Sequence, residues 1–175
     1  MNASQDVVIF VSIATVVIWL ILGIVGSSMA LKGQIIVFVS KADVVLTCTS
    51  FILSALCGLA FIFRDSHDMQ EFTDLKWILL VTSAVLLITT IRPSFRANGT
   101  AGRTILSLSA KYVLAMAVLF CAILAIGGIS NAFKSAAKKR YKETAEYAVV
   151  GAAGAAGYYF LSKFINRLIV NQRQK

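Results

Sequence analysis

Four stretches of this chain contain no Asp, Glu, Lys, Arg or His: residues 7–31, 44–63, 77–91 and 112–133. All four are strongly apolar. A bilayer core of about 30 Å is crossed by about 20 apolar residues in a helix, because in hydrocarbon every backbone group must find its partner within the element. The first run has 25 residues, the second 20 and the fourth 22. The third has only 15, between Lys76 and Arg92. At 1.5 Å per residue that is about 22 Å, a length that snorkelling basic side chains and local thinning of the bilayer make tolerable. The pattern predicts an all-α fold: a polytopic α-helical membrane protein, with residues 1–133 as a transmembrane bundle.

Composition agrees. Of 175 residues 58% are hydrophobic and 14% charged, against about 25% charged in a typical soluble domain. The net charge of +9 would suggest nucleic acid in a soluble protein. Here the basic residues lie between apolar runs, where they face anionic headgroups or the cytoplasm. The expected partners are therefore anionic lipid and other membrane chains, and no nucleic acid is expected. The first six residues carry no Lys or Arg and the run that follows is long, so the first segment is expected to stay in the mature protein.

The connections are read as follows. Residues 32–43 form a short interfacial link with an apolar centre, and Asp43 caps the second helix through its dipole. Residues 64–76 hold the acidic patch and the sole histidine, His67. One histidine among scattered carboxylates reads as a solvated loop rather than a metal site. Residues 92–111 contain Pro93 and Asn98-Gly99 and carry four basic residues, including Lys111. They read as a turn-rich loop. Residues 134–147 are rich in helix formers, so the fourth helix is expected to continue through them.

Residues 134–175 are set apart as a basic helical extension followed by a Gly/Ala-rich amphipathic helix. In that helix Gly151, Ala153, Gly154, Ala155 and Gly157 supply small-residue pairs for close helix contact, as Gly23 and Ser27 do in the first segment. Phe160, Leu161, Phe164, Ile165, Leu168 and Ile169 share one face, with Ser162, Lys163, Asn166 and Arg167 on the other. Lys138, Lys139, Arg140, Lys163 and Arg167 are the candidate contacts to lipid headgroups or an acidic partner.

Sidedness depends on this last helix. With five spans, Lys and Arg divide ten against seven; with four, eleven against six. The four-span split is cleaner and places both ends inside. Four spans with an amphipathic C-terminal helix is the expectation, and five the alternative.

Chemistry is sparse. The four charge-free runs lack the ionisable groups that mark proton relays and ion pathways. No phosphate-cradling loop is present, and no acid/base pair suggests catalysis. Cys48, Cys57 and Cys121 form no CxxC pair and read as small apolar packing. No cofactor, metal or catalytic residue is assigned, and the chain is read as a non-enzyme. Size and layout are similar to small polytopic subunits of conjugative or type IV secretion systems, phage holins and bacteriocin immunity proteins, a likeness of architecture alone. The functional expectation is a structural or assembly subunit of a membrane complex, such as a secretion or conjugation apparatus, in a bacterial inner membrane. The alternative is a homo-oligomeric, holin-like pore lined by hydroxyls such as Thr47, Thr49, Ser50, Ser54, Thr82, Ser83, Thr89 and Thr90. A small integral enzyme using the 64–76 loop ranks third.

Overall fold

A computed structural model describes the backbone at residues 3–62 and 70–173, and the side-chain surroundings at 10–11, 14–56 and 80–171. Arg64, Asp65, His67 and Asp68 of the acidic patch lie outside the described residues. Five helices run in sequence: α1 (Ala3–Leu31), α2 (Lys41–Ile62), α3 (Gln70–Asn98), α4 (Ala101–Ala137) and α5 (Tyr141–Arg173). No strand occurs among the described residues. Three of the described helical stretches are long and apolar enough to span a membrane: Ala14–Leu31, Ala101–Ala137 and Tyr141–Asn171.

The helices alternate in direction around α4, which touches all the others. Gly23 of α1 sits against Ser109 and Val113 of α4, and Gly26 against Leu106 and Ala110. Rising numbers on one helix meet falling numbers on the other, so the pair is antiparallel. The same holds for α4 and α5, where Gly128 meets Gly151 and Cys121 meets Gly157. One end of the molecule, here called the mouth, therefore gathers the end of α1, residues 32–40, the start of α2, the end of α3, the start of α4 and the end of α5.

Two sequence expectations are corrected. First, residues 92–111 are not a loop. α3 continues through Pro93 to Asn98, and α4 begins at Ala101. A proline removes a single backbone donor, and neighbouring hydroxyls and helices make this tolerable in membrane helices. The chain turns at Gly99, whose φ of 69° is one that a glycine adopts without cost. The same extension at the other end of α3 makes Gln70–Lys76 helical rather than loop.

Second, residues 134–147 are not one continuous helix. α4 stops at Ala137, and Lys139 takes a left-handed φ of 55°. The Lys139 N–H donates to the Ala136 carbonyl (2.9 Å) and the Arg140 N–H to the Ser135 carbonyl (3.0 Å). These two bonds make a Schellman stop, with lysine where glycine is usual. Gly127 and Gly128 lie within α4, which runs on for nine more residues, and Gly128 meets Gly151 of α5.

Burial is inverted relative to a water-soluble protein. Large apolar residues such as Phe10, Ile24, Ile88, Phe120, Ile123, Phe133 and Phe160 are exposed on the outside. The buried set includes Asp43, Thr47, Ser50, Thr90, Ser94, Asn98, Thr104, Ser107, Ser109 and Lys111. An apolar exterior around a polar interior fits a protein solvated by lipid. The apolar core is small and sits at the mouth, where Ile35, Val37 and Phe38 pack with Ala30, Ala110, Leu114, Ile165, Leu168 and Ile169.

Candidate functional site: a polar mouth and a small-residue seam

The link 32–40 is drawn into the bundle rather than lying along an interface: Ile35, Val37 and Phe38 are at most 2% exposed. Non-helical backbone among apolar side chains needs partners for its peptide groups. Asn98, at the end of α3, supplies them. The Ile36 N–H donates to Asn98 Oδ1 at 2.8 Å, and Asn98 Nδ2 donates back to the Ile36 carbonyl at 2.9 Å. The side-chain amide thus pairs with the peptide as a neighbouring strand would. Asn98 Nδ2 also donates to the Ser94 carbonyl, and the Ser107 hydroxyl donates to the Ile36 carbonyl at 2.6 Å. The Asn98-Gly-Thr100 triplet is formally a glycosylation sequon, but its asparagine amide is committed inside the fold.

Next to this clamp lies a buried ion pair. Lys111 Nζ donates to Asp43 Oδ1 at 2.7 Å and to Oδ2 at 2.6 Å, with side chains 0% and 6% exposed. Asp43 keeps the capping role its position suggested: its N–H donates to Ser40 Oγ and its Oδ2 accepts from the Val39 N–H at 3.0 Å. This is close to a capping box, displaced by one residue. The Phe38 ring lies 5.9 Å from Lys111 Nζ, a distance suited to cation–π attraction. Lys111 sits ten residues inside α4 and immediately before its charge-free run, so the pair lies at the edge of the apolar slab but within the bundle. The argument from charge-free spans had counted Lys111 in a loop. It needs this correction, because an ionic pair is enclosed by the helices.

The hydroxyls considered for a pore separate into two groups. Thr47, Ser50 and Thr90 face inward, whereas Thr49, Ser54, Thr82 and Thr89 are exposed. Thr47, Thr49, Thr89 and Thr90 donate to carbonyls three or four residues back on their own helices, as expected for hydroxyls in apolar helices. Thr90 also lies 3.4 Å from the Tyr112 hydroxyl. Ser50 Oγ is buried without a hydrogen-bond partner.

The second feature is the seam along α4. On α5, Gly151, Gly154 and Gly157 face it, against Gly128 and Ile129, Ala125 and Cys121, and the Cys121 thiol respectively. A Cβ built on Gly154 would lie 2.5 Å from the Ala125 nitrogen and 2.8 Å from the Cys121 carbonyl oxygen. The contact is therefore backbone to backbone. The spacing is Gly-x-x-Gly-x-x-Gly, a period of three. Ala153 and Ala155 point away and are exposed, while on α1 Gly23 faces α4 and the half-buried Ser27 hydroxyl donates to the Gly23 carbonyl. Beside the seam an open apolar groove of about 440 Å³ is lined by Ile129 and Phe133 and by small residues of both helices, among them Ala132, Ala136, Ala148, Ala152 and Ala155.

The candidate headgroup contacts are not brought together. Lys138, Lys139 and Arg140 lie at the α4–α5 turn, and Lys163 and Arg167 lie near the mouth on exposed positions of α5. Lys163 is about 35 Å from Arg140 along the helix axis. Among the described residues no three His, Cys, Asp or Glu side chains gather as a metal site.

No known protein family, characterised protein or solved structure matches this chain.

Proposed function

We propose that the protein is a non-catalytic assembly subunit of a membrane-embedded complex, with all five helices crossing the bilayer and a helix of another subunit seated along α4 and α5. The observation that carries this reading is the apolar groove of about 440 Å³ in which Ala132, Ala136, Ala148, Ala152 and Ala155 lie with the larger Ile129 and Phe133. Lipid tails solvate Leu as readily as another helix does, so helix association in a membrane depends on close packing, which small concave surfaces permit. The glycines of α5 are used against α4, and the alanines beside them remain open on the outside. The buried clamp at the mouth holds the helices in one arrangement, as a rigid packing surface requires. The five-span reading is supported by α5 running antiparallel along α4.

A photo-crosslinker placed at Ala152 or Ala155 in the native membrane tests the proposal. The expected result is a discrete protein adduct that is absent when the probe sits at Phe10 or Ile18 of α1, and that Ala152→Leu abolishes. Lipid adducts alone, together with a monomer in mild detergent, would overturn it. An adduct between two copies would instead favour the pore reading, which liposome flux then decides.

A further inference from the structure

We infer that the mouth carries a binding site for the phosphate of an anionic glycerophospholipid, built by Arg92 and Arg96 of α3. The two arginines are four residues apart and both exposed, so their side chains project from the same face about 5–6 Å apart at Cβ. They line an open groove of about 530 Å³ with Val39, Pro93 and Ala97. Among the described residues neither guanidinium has a hydrogen-bond or ion-pair partner. Nor does a nearby carboxylate remain to supply one. Asp43 is the acidic residue of the mouth segments, and Lys111 occupies both of its oxygens. An end with spare guanidiniums and no spare carboxylate calls for an anion from outside the chain.

Depth selects a lipid as the source. Arg92 directly follows the charge-free run 77–91, which places it at the headgroup level of a bilayer. Ile88, Ile91 and Phe95 are exposed beside it, and Val39, Pro93 and Ala97 give the groove an apolar floor. A phosphodiester accepts from the planar forks of two arginines, and its glycerol and upper acyl chain cover the apolar residues. This inference rests on the membrane reading but not on the α4–α5 contact, so either can fail alone.

The test is titration of the purified full chain in zwitterionic detergent with phosphatidylglycerol, and separately with phosphatidylcholine or inorganic phosphate, read by native mass spectrometry. Wild type should retain phosphatidylglycerol, and Arg92→Gln/Arg96→Gln should bind it roughly 30-fold more weakly, from about 1 kcal/mol per basic residue. Lys134→Gln/Lys142→Gln, at the opposite end, should bind as wild type does. Circular dichroism of each variant reports whether it is folded, and Arg92→Lys/Arg96→Lys, keeping charge but losing the fork, should fall between. Equal retention by wild type and the glutamine variant would overturn the site. So would an equal loss in the Lys134/Lys142 variant, or equally tight capture of phosphatidylcholine or inorganic phosphate.

Discussion

At the scale of single residues, Asp43 and Lys111 have the largest consequence. Burying two charges is costly, and their attraction offsets that only while both are present. Replacing one partner leaves the other charge enclosed, so Asp43→Asn or Lys111→Met should each destabilise by about 3–5 kcal/mol. The double substitution Asp43→Leu/Lys111→Met should recover most of the loss. Thermal unfolding in detergent gives the coupling, and additive losses would show that the pair is not coupled in solution. Lys139 offers the opposite case. A left-handed lysine costs roughly 1–2 kcal/mol that glycine does not incur, so Lys139→Gly should raise the unfolding temperature without altering helix content. The Schellman stop was not legible in the sequence because its usual glycine is absent. The Lys111 pairing was not legible either: 68 residues separate the partners, and a lysine bordering an apolar run looks like any loop cation.

At the scale of elements, the glycines of α4 discriminate between contact and ornament. Gly128 lies against the Gly151 backbone, whereas nothing comes within 4 Å of a Cβ built on Gly127. Gly127→Ala should therefore stabilise by about 0.5–1 kcal/mol through helix propensity. Gly128→Ala or Gly154→Ala should destabilise by about 1–3 kcal/mol, because backbone must move. Equal effects at positions 127 and 128 would contradict the seam. The seam's presence was readable from the small residues of segment five, but its phase was not. Small-xxx-small spacing pointed to Ala153 and Ala155, while the crossing uses a period of three. Helix ends were misread where punctuation competed. Pro93 resembled a terminator, although the effective signal was Asn98-Gly99, one residue supplying the clamp and the next the positive φ.

For the whole molecule, sidedness would follow from the number of crossings. With five, the segments at the mouth carry ten Lys and Arg against seven at the other end, and the preference of basic segments for the cytoplasm predicts a mouth that faces inward. In a chain freed of its native cysteines, single cysteines at Lys138 and Asn171, which lie near the two ends of α5, should label from opposite sides of the membrane, with Asn171 reached only from within. Labelling of both from one side would reject five crossings. The four charge-free runs made the fold class plain from the sequence. The count of crossings was not legible, because Lys163 and Arg167 lend α5 an amphipathic pattern that suits a surface as well as a span.

The 68-residue gap between Asp43 and Lys111 also has a meaning in time. At about 5–20 residues per second, a ribosome has made α1 and α2 several seconds before the lysine emerges. During that interval the first hairpin carries an unpaired carboxylate and an unclamped peptide at Ile36. Emergence of α3 brings Asn98 to the Ile36 peptide, and emergence of α4 then brings Lys111 to Asp43, so the two buried contacts close in the order in which the chain is made.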